Sequence, residues 1–480
     1  MEAGNDMLQP GRPGQFEDIV NGVREGRLSE EVLDRNAKRV LELILKSPRF
    51  KGYEFSNKPD LKAHAEVTRE SAAEGMVLLE NNGVLPLASD VRNIALFGTT
   101  SYDFIAGGTG SGNVNRAYTV SLLEGLENAG YSVDADLSGI YSKYIEEETA
   151  RLNPKSDDMM AMFIPKVRAG EFVPSAEMLE RTVGANDLAI ITLGRNSGEF
   201  LDRKIADFTL TGEEMGLISA VCGAFHDAGK KVVVLLNIGG VIETASWKAL
   251  PDAVLCAWQA GQEGGNSVAD VLKGVVSPSG RLTMTFPVAY SDHASSANFP
   301  IDLSFGMFGK DAEPQRNVDY TEYEEGIYVG YRWFDKQNLA VSYPFGYGLS
   351  YTAFEWSGAS VKVGNKETVV TVDIKNTGSC NGKEVVELYV AAPSGEIDKP
   401  VKELRAFAKT NDLAPGETQQ ISLRINNSDL ASYNESQNAW IVDEGEYSFL
   451  LGASSRDIRA TLTAHVKGSV TKTNALSFNK

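Results

Sequence analysis

The feature that most constrains this chain is an alternation of short apolar runs with longer helical stretches between about residues 60 and 290. Four runs are rich in β-branched residues, as buried strands are, and helical stretches separate or follow them. Continuous apolar strands covered by helices predict a largely parallel sheet in a three-layer α/β/α sandwich. The strand-like runs are NIALFG (93–98), LAIITL (188–193), KVVVLLNIG (231–239) and AVLCAW (253–258), and the helical stretches include SLLEGLENAG (121–130), TGEEMGLISAVCGAFHDAGK (211–230) and NSVADVLKG (266–274).

The patterns on either side differ from this alternation. Residues 14–47 have apolar residues at helical spacing, with Ser29 and Glu31 at a helix start, and no strand precedes them. Residues 291–356 are rich in Tyr, Phe, Gly and Pro and predict a connector over the surface. From residue 357 short strand-like runs recur between turn residues, which is typical of an antiparallel β-sandwich of immunoglobulin or fibronectin type III kind.

Length and charge narrow the functional classes. A chain of 480 residues exceeds the roughly 250–300 residues that one core usually serves, so two or three domains are expected. A formal net charge of −19 argues against nucleic acid or an anionic membrane as partner, because both are polyanions. No apolar stretch has transmembrane length and the opening does not resemble a signal peptide. A cytoplasmic location is the default prediction, with a periplasmic or secreted location as the alternative if a signal precedes Met1.

Cysteines and histidines predict neither disulfides nor a metal site. Cys222 and Cys256 lie in apolar surroundings, as inert core thiols do, and Cys380 lies in a polar turn. The histidines are widely scattered, without a second ligand type at metal-binding spacing. No cofactor is therefore predicted; the four histidines are His64, His226, His293 and His465.

The loop IAGGTGSGNVNRAYTVSLLEGL (105–126) follows a predicted strand and leads into a helix, as phosphate-binding turns do. Its glycines, at 107, 108, 110 and 112, fit neither G-x-G-x-x-G nor G-x-x-x-x-G-K-[ST], which disfavours nucleotide binding. Two interpretations remain open. The glycines form a tight structural turn, or they let the backbone approach a ligand to which Thr109 and Ser111 offer hydroxyls.

Glu199 follows a glycine just after the strand-like run 188–193. Most glutamates are surface charges, but ligand sites in parallel sheets lie at the carboxyl ends of strands. A neighbouring Asp202 would raise the pKa of Glu199, whereas Arg203 or Lys204 would lower it. A surface charge is the commoner case, and the residue pattern alone leaves open whether Glu199 is a functional acid.

A set of motifs distributed over the chain resembles the family 3 glycoside hydrolases of β-glucosidase and β-xylosidase type. The motifs occur in the family's order over essentially the whole sequence, most similar to bacterial β-glucosidases built from a TIM-like barrel, an α/β sandwich and a fibronectin type III-like domain. The motifs are AGNDMLQPG (3–11), EGMVLLENNGVLPL (74–87), GGTGSGNVNRAYTVSLLEGL (107–126), SGEFLDRK (197–204), LLNIGGVIET (235–244), WQAGQEGGNSVADVLKGVVSPSGRLTMTFP (258–287), YEEGIYVGYRWFD (323–335) and YPFGYGLSYTAFEW (343–356).

The resemblance implies specific roles. The family's general acid/base lies in S-G-E-G-x-D-R, which places it at Glu199 after Ser197 and Gly198, although Phe200 stands where a glycine is usual. It also implies that Ser111 binds the sugar. The family's nucleophile is an aspartate on a barrel strand that precedes AGNDM, so it is expected to lie outside this sequence.

The same resemblance implies a domain division. Residues 1–50 would be the helical tail of a mostly missing barrel, 51–88 a linker with the first sandwich elements, 89–290 the α/β sandwich, 291–356 the connector, 357–470 the fibronectin type III-like domain and 471–480 a tail. Asp6 and Asp103 receive no catalytic role. The expected partners are a β-glucoside or related oligosaccharide and either the missing barrel or a second copy of the chain. A sugar-binding or scaffold remnant and a nucleotide-dependent enzyme are the alternatives.

Overall fold

The computed structural model describes residues 1–154, 165–196, 198–199, 203–297 and 322–473. The chain divides into two compact units, Met1–His64 and Ala65–Lys480. Each unit is described by itself.

The first unit contains two amphipathic helices, α1 (Gln15–Arg24) and α2 (Glu30–Lys46). The predicted start at Ser29 is confirmed, because its hydroxyl accepts a hydrogen bond from the backbone N–H of Val32. The only fully buried residues of these helices are Gly22 and Asn36. Their other apolar side chains are half-buried or exposed, and the exposed ones include Phe16, Leu41, Leu43, Ile44 and Leu45.

Helix α2 offers a direct test of this exposed surface. Leu41 and Leu45 are 58% and 51% exposed and lie one turn apart, so we expect concentration-dependent association of the chain. Changing both to lysine should lower the scattering mass measured by light scattering, with little loss of helix because Leu and Lys have similar helix propensities. Glu42→Lys on the same helix is the matched control, since it makes the same change of +2 in net charge. Equal association in both variants would contradict a role for the apolar face.

The second unit begins with a six-stranded sheet in the order β1-β6-β5-β4-β2-β3. Strands β2 to β6 pair in parallel and β1 is an antiparallel edge strand. The four predicted strands are confirmed as β2, β4, β5 and β6, whereas β1 and the short β3 were not predicted. The strands are β1 (Val77–Asn81), β2 (Asn93–Phe97), β3 (Ser132–Val133), β4 (Leu188–Arg195), β5 (Lys231–Ile238) and β6 (Ala253–Cys256).

Helices cover both faces of this sheet, which confirms the three-layer sandwich. Successive residues of β2 enter opposite cores: Ile94 and Leu96 pack with α3, α4 and α8, and Ala95 and Phe97 pack with α5, α6 and α7. The helices are α3 (Leu61–Gly75), α4 (Leu122–Asn128), α5 (Ala135–Leu152), α6 (Ala176–Ala185), α7 (Gly212–Asp227) and α8 (Gly264–Leu272).

The described part of the connector packs against β1 through aromatic side chains. Its Tyr343 is 2% exposed and donates a hydrogen bond to Glu80 at 3.0 Å. Its elements are α9 (Tyr331–Lys336) and β8 (Val341–Tyr343), and β8 pairs with β7 (Phe286–Pro287) of the preceding segment. Phe334 and Tyr343 are thus buried, although the segment itself lies outside the six-stranded sheet.

The rest of the described chain is an antiparallel β-sandwich, as predicted. Its sheets have the orders β13-β10-β9, β12-β11-β16-β17 and β14-β15-β18, and alternate residues of β10 are buried. The strands are β9 (Phe354–Val363), β10 (Glu367–Asn376), β11 (Val385–Ala391), β12 (Glu403–Lys409), β13 (Thr418–Asn426), β14 (Ser432–Asn434), β15 (Ala439–Val442), β16 (Gly445–Gly452), β17 (Ile458–Val466) and β18 (Ser469–Lys472).

Glu387 on β11 predicts a pH-dependent stability. Its side chain is buried, and this burial raises the pKa of its carboxyl from 4.5 to about 7. Between these values the folded chain keeps a proton that the unfolded chain has lost, so the free energy of unfolding should fall as pH rises from about 4.5 to 7, by at most about 3 kcal/mol. Glu387→Gln should flatten this decrease in urea unfolding curves at pH 5 and pH 8. Glu355→Gln, at an exposed residue, is the control and should leave the decrease unchanged. An equal decrease of the free energy of unfolding in the wild type and in Glu387→Gln would contradict the raised pKa of Glu387.

Candidate active site

The candidate site lies at the carboxyl edge of the parallel strands. Strands β2, β4, β5 and β6 run in the same direction, so their following loops meet at one edge of the sheet. The glycine-rich loop follows β2, and the segment that contains Glu199 follows the neighbouring β4. The order of the strands therefore brings together two loops about ninety residues apart in the sequence.

Asn237, near the end of β5, fixes the start of the glycine-rich loop. Its buried side-chain amide accepts a hydrogen bond from Ile105 N at 2.7 Å and donates to Ile105 O at 2.9 Å and to Trp258 O at 2.7 Å. Trp258 has a φ of 54°, an uncommon conformation for a bulky residue, and its carbonyl meets Asn237 in that conformation. One amide thereby ties the loops that follow β2 and β6 to the end of β5.

The other end of the glycine-rich loop is fixed by the loop before α8. Val120 N donates to Gln262 O at 2.8 Å, and Gly265 N donates to Val120 O at 3.1 Å. Tyr118 donates a short hydrogen bond to Glu263. Both ends of the loop are thus held by the sheet domain, while its middle, around Ser111, is exposed.

The glycine-rich loop contacts the Glu199 segment directly. Thr109 and Gly198 form a parallel bridge, and the Thr109 hydroxyl donates to Glu199 O at 2.7 Å. Gly198 has a φ of 145°, and a Cβ there would lie 2.5 Å from Thr109 N. Only glycine therefore permits this approach of the two backbones.

Glu199 and Ser111, the two site residues implied by the resemblance, are neighbours. Glu199 Oε2 accepts a hydrogen bond from the backbone N–H of Ser111 at 2.7 Å. This N–H, and next the Ser111 side chain, lower the pKa of the Glu199 carboxyl below its ordinary value. The carboxyl is exposed, so the sheet domain alone presents a carboxylate anion at its edge.

The remaining predicted residues have separate surroundings. Asp103 forms an ion pair with Arg168 at 2.8 Å, and Asp6, in the first unit, lies 3.4 Å from Arg39. Arg203 donates to Asp207 O at 2.8 Å, and Lys204 N donates to Asp207 Oδ2 at 2.6 Å. Neither of these cations is what lowers the pKa of Glu199. Ser197, Phe200 and Asp202 lie outside the described residues.

Two residues that the sequence reasoning did not single out organise this edge: Asn237 and Arg195. Each is a polar residue at or next to the carboxyl end of a buried strand, a position that could have drawn attention to it. What the sequence could not provide were their partners. Ile105 lies 132 positions from Asn237.

Other functional classes find little support in the described residues. No group of three His, Cys, Asp or Glu side chains within them is arranged to hold a metal ion. Burial raises the pKa of the Cys222 thiol to about 12 and also raises that of Cys256, as expected for inert core cysteines. Over the described ranges, no helix combines the length and apolar character needed to cross a membrane.

Comparison with known proteins identifies the family. Residues 76–351 match the glycosyl hydrolase family 3 C-terminal domain, and residues 384–455 match the fibronectin type III-like domain. The structure of β-glucosidase 3B from Thermotoga neapolitana in complex with α-D-glucose is 42% identical, with a TM-score of 0.88 over 98% of this chain and 65% of that one.

Two curated relatives extend the comparison. β-Glucosidase A of Butyrivibrio fibrisolvens is 36% identical over 446 residues, 82% of this chain and 50% of the relative. An exo-α-(1→6)-L-arabinopyranosidase of Bifidobacterium breve is 31% identical over 488 residues, 98% of this chain and 57% of the relative. The chain thus spans about half the length of these relatives. It belongs to glycosyl hydrolase family 3, of which it contains the C-terminal domain followed by the fibronectin type III-like domain.

Proposed function

We propose that this chain supplies the general acid/base of a retaining β-glycosidase whose nucleophile is carried by another polypeptide segment. The observation that carries the proposal is the placement of Glu199 at the exposed edge of the sheet by Ser111 and Thr109. A carboxyl group presented in this way is free to face a sugar bound between two domains.

The proposed reaction has two steps. The protonated Glu199 gives its proton to the glycosidic oxygen while a second carboxylate attacks the anomeric carbon, which releases the aglycone alcohol and leaves a glycosyl ester. Glu199, now a carboxylate, takes a proton from water as the water oxygen attacks the same carbon. The ester bond breaks, the sugar leaves with its configuration retained, and Glu199 is protonated again.

The pKa of Glu199 supports the need for a second polypeptide segment. A general acid must be protonated before it reacts, yet Ser111 lowers the pKa of this carboxyl in the chain described here. A retaining site places its second carboxylate about 5–5.5 Å away, and a like charge at that distance raises the pKa of the acid. The partner would therefore supply the electrostatic environment as well as the nucleophile.

A terminal β-glucoside is the proposed substrate, since β-glucosidases recur among the relatives and a glucose complex is among the similar structures. Because one relative is an arabinopyranosidase, the assay should compare aryl glycosides of glucose and of arabinopyranose. A barrel-containing polypeptide is the proposed partner, and self-association is the alternative. The cytoplasmic location, with a periplasmic or secreted location as the alternative, stays a prediction.

The proposal can be tested by mixing this chain with a barrel domain. We expect the purified chain alone to leave an aryl β-glucoside intact, and a mixture with a separately produced barrel domain from a family member to release the aryl alcohol. The barrel domain alone is the control for background hydrolysis. Full turnover by the chain alone would contradict the assignment of the nucleophile to another segment.

A sugar-binding remnant is the second candidate, favoured by the exposed and ionised state of Glu199, because a carboxylate anion accepts hydrogen bonds from sugar hydroxyls. It predicts that the chain alone binds glucose in a titration and that the mixture is inactive. Activity in the mixture would exclude this candidate.

A further inference from the structure

We propose that Arg195 is a positioning residue for Glu199. The acid/base loop is defined here by its described residues, 196, 198–199 and 203–209. Arg195 directly precedes this loop and its guanidinium binds the carbonyls at the far end, which holds the two ends together and thereby sets the contact between Glu199 and Ser111. The importance of this contact for catalysis rests on the proposed function, whereas the contact itself can be measured without substrate.

Arg195 is the last residue of β4, and its side chain is nearly buried, at 12% exposed. Its nitrogens donate to three backbone carbonyls. Nη1 meets the carbonyl of its own chain neighbour in β4, Gly194, at 2.8 Å, and at the far end of the loop Nε meets Asp207 O at 3.0 Å and Nη2 meets Thr209 O at 3.1 Å. One planar group therefore bridges the residues before and at the end of the loop.

The guanidinium is itself held by Glu214 in a two-point pair. Nη1 donates to Oε1 at 2.5 Å and Nη2 to Oε2 at 2.7 Å, and the Glu214 side chain is 7% exposed. Glu214 also belongs to the capping box of α7, where its side chain accepts from Thr211 N at 2.8 Å. Through Arg195 and Glu214, the far end of the loop is therefore held to the start of α7.

Closing both ends matters because the contact at Glu199 tolerates little displacement. A hydrogen bond of 2.7 Å is lost when the atoms separate by about 1 Å. Thr109 and Ser111 hold Glu199 from the side of the glycine-rich loop, and Arg195 holds the segment from the side of the sheet. Lysine cannot replace it, because one ammonium cannot reach three carbonyls and both carboxylate oxygens in a fixed plane.

Nearby charges make the arrangement sensitive to Glu214. The positive charge of Arg195 acts on Arg203, whose pKa is lowered by its own burial and next by Arg195. Glu214 balances the charge of Arg195 through the two-point pair, while Asp207 acts on Arg203 in the opposite direction to Arg195. Replacing Glu214 by glutamine keeps a residue compatible with the capping box while it removes the balancing charge.

The amide signal of Ser111 reports the contact in the intact chain. The sequence contains three Gly–Ser pairs, at 110–111, 378–379 and 468–469, so labelling glycine with ¹³C at the carbonyl and serine with ¹⁵N leaves three amide peaks in a carbonyl-filtered spectrum. In the wild type the Ser111 peak should shift with pH as Glu199 titrates, and Glu199→Gln should abolish this shift. The two remaining peaks belong to the β-sandwich and serve as internal references there, and far-UV circular dichroism reports whether the helices of the α/β sandwich stay folded.

We expect Arg195→Lys to move the Ser111 peak and abolish its titration while the other two peaks stay in place. In the mixture with a barrel domain the same variant should lower kcat about 100-fold with little change in KM, as misplacement of a catalytic group does. Arg69→Lys is the matched control, because Arg69 makes a similar two-point pair with Asp270 in the opposite helix layer.

An unchanged Ser111 titration in Arg195→Lys would overturn the proposal. If circular dichroism shows that this variant loses helix, Glu214→Gln decides: with its helices intact, a Ser111 peak that moves alone supports the proposal, and one that stays overturns it. Altered Ser111 titration together with an inactive wild-type mixture would retain the positioning role and reject the proposed function instead.

Discussion

Glu199→Ala in the active mixture should lower hydrolysis of an alkyl β-glucoside by about 10² to 10⁴-fold, the usual contribution of a general acid/base. The loss should depend on the leaving group. An alkoxide needs the proton from Glu199 in order to leave, whereas a dinitrophenolate leaves without it. The first step should therefore be nearly normal for the dinitrophenyl glucoside, and the second step, which needs a base, should become slow and give a burst of product.

Azide separates the two roles of Glu199. It attacks a glycosyl ester without losing a proton, so it should restore turnover of the dinitrophenyl glucoside by Glu199→Ala and form a β-glucosyl azide. Glu213→Ala is the matched control, because Glu213 is an exposed glutamate at the start of α7. A uniform loss for both leaving groups, without azide rescue, would contradict the acid/base assignment.

Gly110→Ala should have the second large effect. Gly110 has a φ of 59°, and a Cβ there would lie 2.3 Å from Glu199 Cβ and 2.6 Å from Glu199 Oε2. Alanine would have to displace the acid itself, so activity of the mixture should fall about 100-fold. The free energy of unfolding should change by only about 1–2 kcal/mol, the cost of a left-handed alanine.

Gly112 provides the control for this substitution. It lies two residues away in the same short 3₁₀ turn, and a Cβ there would meet no atom within 4 Å. Gly112→Ala should keep the activity of the mixture and the Ser111 amide signal. An active Gly110→Ala, or an equal loss in both variants, would contradict the contact between Gly110 and Glu199.

The sheet could be predicted because its signal is local. The runs that became β2, β4, β5 and β6 are continuous and β-branched, which reflects burial on both faces. The edge strand β1 has the mixed sequence VLLEN, and its pairing with β6 depends on residues about 175 positions away, so no local pattern marks it.

The residues of the candidate site could likewise be recognised from local sequence, whereas their contacts could not. The motif around Glu199 and the glycines before Ser111 could be recognised in the sequence, but their contact depends on the parallel pairing of β2 with β4. The sequence offered Asp202, Arg203 and Lys204 as the charges that would set the pKa of Glu199. The structure assigns the lowering to Ser111, a neutral residue 88 positions away, because its backbone N–H is aimed at the carboxylate, whereas the Arg203 side chain donates to Asp207 O.

The three hydrogen bonds of Asn237 have a consequence for how this edge of the sheet fluctuates. Two of these bonds go to Ile105, in the loop after β2, and one goes to Trp258, in the loop after β6, and the Asn237 side chain is fully buried. Opening any one of these loops would leave a buried polar group unpaired, which costs about 1–3 kcal/mol. The amide hydrogens of Ile105 and its neighbours should therefore exchange with solvent as one cooperative unit, so that the sugar would meet an edge already set before it binds.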